Sequence, residues 1–348
     1  MKEKNVLHLT VGLAHGGAEK VLLDASIQFK KNGIINFQVI SFSNELGLLD
    51  DYVKHQIRAI PLKKDSSLKS LFEIFSFTNS FVRSENIDIV HAHMFHAMLI
   101  AAMLKIRNPK IKVVFTSHNV NLGSRLREFL IFLLKPLRNI DILFSANMKR
   151  YFHKSHNIVI QNAVNAEEFR GQTDKFEKFT FLAVGHLREA KNYPFLLECA
   201  KELKKSFDFQ VLIAGEGKLK EELQRRIEKE ELEENIFLLG NVENIPKLLQ
   251  QSHCLVMPSL WEGMPIAILE AGACRLPVIA TPVGSIPSVL NDDNAYLVTL
   301  DDFSDSMSDV FHDYPAAQKK AEQFYDQVIE ENTIEKMVKK LEDLYLSL

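Results

Sequence analysis

Short apolar runs alternate with longer amphipathic stretches along most of the chain. Residues 5–11 (NVLHLTV) form the first apolar run, and the stretch from Ala18 to about Lys31 repeats its apolar positions with the period of a helix that buries one face. Further apolar runs follow, with helical segments between most of them, at 36–42, 87–93, 112–118, 141–146 and 157–164. Repeated strand–helix units predict a mostly parallel sheet covered by helices on both faces.

The pattern pauses once and then restarts. Residues 165–179 are polar and have no strong period, which predicts a linker. Strands are then predicted at 180–185, 209–215, 235–240, 254–259 and 277–281, and helices at 192–205, 218–230, 245–251 and 264–274. The sequence therefore predicts an α/β protein of two doubly wound, Rossmann-like domains, with boundaries at 1–165 and 166–330, and a C-terminal helix at 331–348 that could pack back on the first domain. Because ligands of such sheets bind at the carboxyl ends of the strands, we expect a shared cleft between facing domains.

Composition narrows the class of protein. The 348 residues are 46% hydrophobic and 25% charged, and the formal net charge is −3. This balance is typical of globular domains and gives no electrostatic footprint for nucleic acid. The three scattered cysteines, Cys199, Cys254 and Cys274, indicate reduced thiols. The N-terminal residues do not resemble a signal peptide, and no apolar run reaches the roughly 20 residues that cross a bilayer. We therefore expect a cytoplasmic protein.

The segment 261–281 (WEGMPIAILEAGACRLPVIAT) carries the most specific signal. Glu262 lies in the loop before the predicted helix 264–274, and Glu270 lies inside that helix. The N-terminus of a helix that follows a strand offers backbone N–H groups to an anion such as a diphosphate. A carboxylate can accept two hydrogen bonds from the neighbouring hydroxyls of a ribose. The apolar neighbours of Glu270 argue against a plain surface role.

The spacing of Glu, seven residues and Glu, after a strand that ends in Pro-Ser, resembles the signature of the retaining glycosyltransferases of family four, which have the two-domain GT-B architecture. The resemblance implies that Glu270 binds the ribose of a nucleotide-sugar donor. It implies that Glu262 is a catalytic carboxylate beside the transferred sugar. The backbone that follows would surround the sugar hydroxyls and the phosphate, at Gly263, Met264, Pro265 and Ile266. Because Pro265 has no N–H, it can only shape the loop.

A second matching segment is 183–197 (AVGHLREAKNYPFLL). It places Arg188 and Lys191 in a loop after a strand, where two cations could neutralise a leaving diphosphate. The family usually has an arginine where this chain has His186, so Arg188 and Lys191 would carry that role here. The alternative is a solvated basic loop.

Two glycine-containing loops are looser matches. Gly16 and Gly17 lie between the first strand and the first helix, and the resemblance implies that this loop faces the donor phosphate. Gly240, Asn241 and Val242 follow a later strand, in the loop that meets the nucleotide base in the family. Such contacts are made by the backbone, so the sequence leaves the base open between UDP and GDP donors.

Histidines stand at two consecutive strand ends, in HAHMFH (91–96) and TSHN (116–119). His118 matches a family histidine that contacts the transferred sugar, and His93 is the second candidate on the sugar or acceptor side. The alternative is that both are strand-end histidines hydrogen-bonded to the backbone. His91 and His93 could suggest a metal site, but no cysteine or acid has a matching spacing and the chain has no Asp-x-Asp pair. We therefore expect a mechanism without metal and no cofactor besides the nucleotide-sugar co-substrate.

Residues 123–139 (GSRLREFLIFLLKPLRN) predict a basic amphipathic helix. Such a helix can lie on the inner face of a membrane as a peripheral contact, or it can pack on the first domain with a solvated basic face. Acceptors in the resembled family are often lipid-linked. The resemblance therefore implies transfer of a sugar to a hydroxyl of a glycan or lipid-linked glycan, in bacterial surface polysaccharide synthesis.

Two other functions remain compatible with the sequence. One is a GT-B-fold epimerase of nucleotide sugars, and the other is a non-catalytic nucleotide-sugar-binding subunit. Ser288, where the family often has a glutamate, is compatible with the second. Retention could arise by front-face attack, which the resemblance favours, or by double displacement through a covalent intermediate. Fold alone does not decide activity.

Overall fold

The computed structural model describes residues 4–65, 67–118, 123–171 and 173–348. Contacts divide the chain into two compact units. The first unit comprises Met1–Ala163 together with Ile334–Leu348, and the second comprises Val164–Thr333. Each unit has one sheet, and every strand pair found in these sheets is parallel. The prediction of two doubly wound α/β halves is thereby confirmed.

The sheet of the first unit has seven strands in the order β3-β2-β1-β4-β5-β6-β7. The strands are β1 (Lys4–Thr10), β2 (Ile35–Ser41), β3 (Ala59–Pro61), β4 (Ile89–His93), β5 (Lys112–Thr116), β6 (Ile140–Leu143) and β7 (Asn157–Val159). The strand order reverses between β1 and β4, which pair directly. This reversal creates a switch point at the carboxyl ends of β1 and β4, where ligands of doubly wound sheets bind.

Helices cover this sheet between the strands. They are α1 (Gly17–Asn32), α2 (Leu49–Lys54), α3 (Leu68–Ser84), α4 (Met94–Arg107) and α5 (Arg125–Leu133). Helix α1 ends at Gly33, whose φ of 65° lies in the left-handed region and whose N–H donates to the carbonyl of Phe29. Glycine ends a helix in this way at little conformational cost.

The sheet of the second unit has six strands in the order β10-β9-β8-β11-β12-β13. The strands are β8 (Phe179–Val184), β9 (Phe209–Ala214), β10 (Ile236–Gly240), β11 (Cys254–Met257), β12 (Val278–Ala280) and β13 (Tyr296–Leu297). The helices are α6 (Tyr193–Leu203), α7 (Lys220–Lys229), α8 (Ile245–Gln251), α9 (Ile266–Ala273), α10 (Phe303–His312) and α11 (Tyr314–Glu331). The switch point of this sheet lies between β8 and β11.

The last helix, α12 (Ile334–Ser347), belongs to the first unit. It packs on α1, where Asn32 Nδ2 donates to Glu342 Oε1 at 3.0 Å. Val338 and Tyr345 are fully buried. The chain thus returns to the first unit after completing the second one.

Three stretches differ from the sequence-based expectation. The helix predicted over 123–139 ends at Leu133, and Pro136 lies in a separate 3-10 turn, because a proline inside a helix removes a backbone hydrogen bond. The segment predicted as a linker contains a 3-10 helix at Ala166–Phe169, and the carbonyl of Phe169 accepts a hydrogen bond from Gln250. The short elements α2 and β3 were not predicted.

No helix among the described residues combines the length and apolar character that crossing a membrane requires.

Candidate active site

The switch point of the second sheet brings two loops together. The loop after β8 contains a 3-10 turn that ends at Lys191, and the loop after β11 leads through Ser259 to Glu262. The N–H of Leu260 donates to the carbonyl of Ala190 at 2.8 Å, so the two loops are fixed to each other. Residues that are far apart in the sequence therefore meet at the edge of the sheet where ligands bind.

Lys191 and Glu262 form a buried ion pair in this position. Lys191 Nζ lies 2.7 Å from Glu262 Oε1, and the exposed fractions of the two side chains are 10% and 6%. The hydroxyl of Ser259 donates to the same carboxylate oxygen at 2.7 Å. Within the part of the chain that the structure describes, no group donates to Glu262 Oε2. One oxygen of the carboxylate is thus fixed by the protein, and the other can accept a hydrogen bond from a ligand.

Two glycines allow the backbone to close around this pair. Gly284 has a φ of 60°, and a Cβ atom there would lie 2.1 Å from the carbonyl oxygen of Glu262. Gly185 has a φ of 146°, and a Cβ atom there would lie 2.7 Å from Lys191 Cε. Both positions therefore require a residue without a side chain.

Helix α9 begins directly after this loop. It starts at Ile266, two residues later than predicted, and Pro265 is its N-cap residue. The matched residues Gly263, Met264, Pro265 and Ile266 are all buried. The first amides of a helix have no intrahelical acceptor, so the N–H groups at the start of α9 are suited to an anion. Glu270 lies in the second turn and is the one residue of α9 that is not buried. It is half-buried.

The remaining candidates of the second unit lie in different surroundings. Arg188 is exposed in the loop after β8, whereas the ammonium of Lys191 is engaged by Glu262. Gly240 ends β10 with a φ of 66°, and its carbonyl accepts a hydrogen bond from the N–H of Gly215. Asn241 after it is exposed, and the next residue, Val242, is half-buried.

The switch point of the first sheet holds the histidines. His93 ends β4 and is the N-cap residue of α4, and His118 follows β5 by two residues. Both are half-buried and line one small pocket with Thr10 and Glu19. Met94, between His93 and the rest of α4, has a φ of 70°, a strained conformation for a residue with a side chain. Such strain is often found at functional sites.

The N-terminus of α1 lies beside this pocket. Gly16 is the N-cap residue of α1 and Gly17 is its first residue. Glu19 follows in the first turn, and a Cβ atom at Gly16 would clash with its carboxylate at 2.3 Å. Burial raises the pKa of Glu19. Gly16 thus leaves room for an acid at the helix N-terminus.

The histidines belong to one continuous line of hydrogen bonds inside the first unit, which we call the histidine network. Its members in order are His118, His93, His8, Tyr345, His91 and Thr116. The successive distances between nitrogen or oxygen atoms are 2.9, 2.8, 3.0, 2.6 and 2.7 Å. Strand-end histidines bonded only to the backbone were the alternative at the sequence level, and here the partners are side chains.

Burial keeps these histidines neutral. Desolvation lowers the pKa values of His8, His91 and His93 well below the usual range, and the neighbouring imidazoles lower them further. Desolvation also lowers the pKa of His118 to about 4. At neutral pH every imidazole of the histidine network therefore offers one donor and one acceptor.

Ring nitrogens of His8, His91 and His93 lie within 4.8 Å of one another, a separation that could accommodate a metal ion. However, the His93 ring stacks on the His8 ring at 29° and on the His91 ring at 26°. A metal ion binds close to the plane of each imidazole that holds it, and stacking is an unfavourable arrangement for two rings that bind one ion. Each ring nitrogen of these three histidines also has a hydrogen-bond partner. The arrangement favours hydrogen bonding over metal binding, and a mechanism without metal remains a prediction.

Several residues of the two sites were missed at the sequence level. Ser259 was identified only as the last residue of a predicted strand. His8 lies within an apolar run, where a single histidine gives no functional signal. Tyr345 lies 337 residues from His8, its partner, so that no local pattern connects them.

Two doubly wound parallel sheets, each with polar residues at its switch point, define an α/β protein of the GT-B architecture. The crystal structure of HepE from Anabaena in complex with UDP-glucose matches with a TM-score of 0.87 at 16% identity, over 99% of this chain and 100% of that chain. This similarity confirms the predicted fold class.

Residues 165–343 match the family model described as Glycosyl transferases group 1, and residues 15–168 match that of Glycosyltransferase Family 4. The chain therefore belongs to the group 1 glycosyl transferases, a family of enzymes.

Two curated relatives illustrate the range of the family. The UDP-Gal:alpha-D-GlcNAc-diphosphoundecaprenol alpha-1,3-galactosyltransferase of Escherichia coli is 27% identical over 90% of this chain and 89% of its own length. The gpi3 subunit of phosphatidylinositol N-acetylglucosaminyltransferase of Schizosaccharomyces pombe is 28% identical over 76% of this chain. That match spans 62% of the length of the yeast protein.

Proposed function

We propose that the chain is a retaining glycosyltransferase that transfers a sugar from a nucleoside diphosphate sugar to a hydroxyl of a glycan or lipid-linked glycan. The observation that carries this proposal is the buried pair of Lys191 and Glu262 at the second switch point, directly before the N-terminus of α9. The names of relatives support the donor and acceptor classes: one uses UDP-Gal and a diphosphoundecaprenol-linked acceptor, and HepE binds UDP-glucose. The E. coli relative favours a role in surface polysaccharide assembly.

In this proposal the fixed and the open oxygen of Glu262 have different roles. Lys191 and Ser259 hold Oε1, so the carboxylate keeps one orientation. Oε2 accepts a hydrogen bond from a hydroxyl of the transferred sugar. Because Lys191 is already paired, Arg188 is the cation that meets the leaving diphosphate, together with the first amides of α9. Glu270 accepts hydrogen bonds from the ribose.

Retention follows most simply from front-face attack. The bond from the sugar carbon to the diphosphate oxygen breaks, and the bond to the acceptor oxygen forms on the same face. The leaving phosphate oxygen takes the proton of the acceptor hydroxyl, so no metal and no enzyme-bound sugar is needed. Two donors on Glu262 Oε1 lower its nucleophilicity, which favours positioning over covalent attack. The anomeric configuration of the product, followed by NMR during turnover, tests this step.

The first experiment is calorimetric titration of UDP and GDP without added metal. We expect one nucleotide to bind wild-type protein, and Glu270→Gln to weaken it about 10- to 150-fold, the contribution of hydrogen bonds to a charged group. The matched control is Glu221→Gln, which changes an exposed acid of α7 in the same unit and should leave binding unchanged. Absence of binding by either nucleotide would contradict the donor assignment.

A second experiment, on a variant of Glu262, separates nucleotide binding from turnover. Glu262→Gln should keep nucleotide binding and lose hydrolysis or transfer of the sugar, because it touches the sugar and not the nucleotide. Turnover assays with and without a chelator then check whether the reaction is independent of metal. Turnover that stops with chelator present and returns with a divalent cation would overturn the proposed mechanism.

We also propose a peripheral contact between α5 and an anionic membrane. Leu126, Phe129 and Leu133 repeat on one face of the helix, and their exposed fractions are 66%, 51% and 53%. Ile131 on the opposite side is fully buried, so the helix packs by another face. Two basic residues of the same helix, Arg125 and Arg127, are also exposed. Apolar residues with a basic surround suit the boundary between lipid tails and acidic headgroups.

Sedimentation with vesicles tests the membrane contact. The protein should bind vesicles that contain phosphatidylglycerol and bind pure phosphatidylcholine weakly. Phe129→Ser should weaken vesicle binding about tenfold or more, since it removes an aromatic side chain that inserts at the lipid boundary. Phe72→Ser on α3 is the control, because Phe72 is also exposed, at 66%, on another helix. Equal losses for both variants, or no binding, would refute the contact.

A further inference from the structure

The histidine network has five links and a fixed supply of hydrogens. A neutral imidazole has one N–H and one acceptor nitrogen, and a hydroxyl has one hydrogen to donate. Each link needs one hydrogen. Each inner imidazole has two partners, so it must donate to one neighbour and accept from the other. The Tyr345 hydroxyl could instead accept from both of its neighbours, but its own hydrogen would then have no acceptor in a fully buried position, which is destabilising. We therefore treat Tyr345 as a donor to one neighbour as well, and hydrogen bonds in such a line strengthen one another.

Only two arrangements satisfy all five links while each inner group donates once. In the first, Thr116 donates to His91, and the direction continues through Tyr345 and His8 toward His118. All four histidines then carry the hydrogen on Nδ1. In the second arrangement the direction reverses, and all four carry it on Nε2. The tautomers are thus coupled across side chains from three strands, one loop and the last helix.

The Thr116 end decides between the two arrangements. Its hydroxyl bonds to His91 Nε2 at 2.7 Å and has no other hydrogen-bond partner among the described residues. Thr116 is buried, so water does not replace a missing acceptor. In the first arrangement its hydrogen is donated to His91, whereas in the second it has no acceptor. An unsatisfied buried donor destabilises the second arrangement.

We propose that the histidine network holds His118 as a neutral imidazole with its hydrogen on Nδ1, the ring nitrogen outside the network, where it can donate a hydrogen bond to a hydroxyl oxygen of a sugar in the pocket that His118 lines. His93, His8, Tyr345, His91 and Thr116 act through His118 and are positioning residues. This inference rests on the proposed function in one respect, namely that the ligand is a sugar. The direction of the network itself depends only on contacts within the first unit.

Tyr345 is the critical link because its hydroxyl joins His91 to the other three histidines of the network. In the first arrangement its hydroxyl accepts from His91 Nδ1 at 2.6 Å and donates to His8 Nε2 at 3.0 Å. It is fully buried on α12, so its ring packs in one position. Loss of the hydroxyl would separate His8, His93 and His118 from the Thr116 anchor and release their tautomers.

Nitrogen-15 NMR of the imidazoles tests the proposal, since long-range couplings distinguish Nδ1–H from Nε2–H in each histidine. In the wild-type protein we expect Nδ1–H in all four members. Nε2–H in all four, or a mixture among them, would overturn the proposal without any variant.

Variants then connect the tautomer to turnover. Tyr345→Phe should turn His118 into a mixture of tautomers and lower kcat/KM about 2- to 10-fold, as for one neutral hydrogen bond, with nucleotide binding unchanged. The assay is hydrolysis of UDP-galactose or UDP-glucose, whichever binds. The control is Tyr52→Phe, which removes the hydroxyl of another fully buried tyrosine of the first unit. Thr116→Val is a second variant that removes the anchoring donor at nearly constant volume.

The outcomes separate this inference from the proposed function. If His118→Ala lowers turnover but Tyr345→Phe changes neither the His118 tautomer nor turnover, the network assignment fails and the transferase stands. If the tautomers behave as expected but His118→Ala leaves turnover unchanged, the donor role of His118 fails. If no nucleotide sugar binds at all, the proposed function fails, and the NMR spectrum still decides the direction of the network.

Discussion

Replacement of Lys191 by methionine is the sharpest test of the second switch point. The change keeps the length of the side chain and removes the charge that faces Glu262 at 2.7 Å. Because the exposed fraction of Glu262 is 6%, the carboxylate would be left almost buried with Ser259 as its remaining donor. Removing one partner of a buried ion pair costs about 3–5 kcal/mol. For a unit of this size we expect the melting temperature to fall by about 6–20 °C.

The assay is thermal and urea unfolding followed by circular dichroism. The double variant Lys191→Met/Glu262→Gln should recover most of the lost stability, because no unpaired charge remains. Glu262→Gln alone should be the milder single change, since Ser259 can still donate to the amide oxygen. A loss below about 1 kcal/mol for Lys191→Met, with no recovery in the double variant, would place the pair among solvated surface pairs and refute the reasoning.

The remaining predictions concern the loop, the histidines and a spectroscopic probe. Gly284→Ala should destabilise the protein well beyond the ~1–2 kcal/mol of a left-handed alanine, because its Cβ would lie 2.1 Å from a carbonyl oxygen; Gly33→Ala, with open space around it, is the matched control in thermal melts. The pKa values of His8 and His91 are lowered by burial, so the unfolded state binds more protons below about pH 6.5. The free energy of unfolding should therefore fall on acidification by ~1.4 kcal/mol per pH unit for each of these histidines, and urea titrations at pH 7 and pH 5 that show no fall would contradict their burial. Nucleotide-sugar binding should change the fluorescence of Trp261, the single tryptophan, which is half-exposed beside Glu262; an unchanged spectrum at saturation would argue against a ligand at this loop.

Element types were predictable because burial leaves a periodic trace. Helix α8 begins and ends at the predicted residues, and β1 and β11 differ from the prediction by one or two residues. The 123–139 helix was predicted too long, since the amphipathic pattern continues past the proline that ends regular hydrogen bonding. Strand β13 was missed because two residues are too short for any period to show.

The candidate site was predictable in part. Glu262 and Lys191 were singled out, but as separate groups near the sugar and the diphosphate. Their ion pair was not expected, because it depends on the loop contact between Leu260 and Ala190. The different surroundings of Arg188 and Lys191 follow from the same contact: one side chain remains in solvent while the other turns toward Glu262.

The sequence by itself determined the α/β class, the two doubly wound halves and the family, because these depend on local periodicity and on short motifs. Only the tertiary structure decided which side chains share a hydrogen bond. Tyr345 reaches the histidines because α12 packs on α1 after the second unit is complete, and Thr116 anchors them because β4 and β5 are neighbours in the sheet. Hydrogen bonds act over about 3 Å, whereas the sequence separations here reach 337 residues, so such contacts leave no local pattern in the chain.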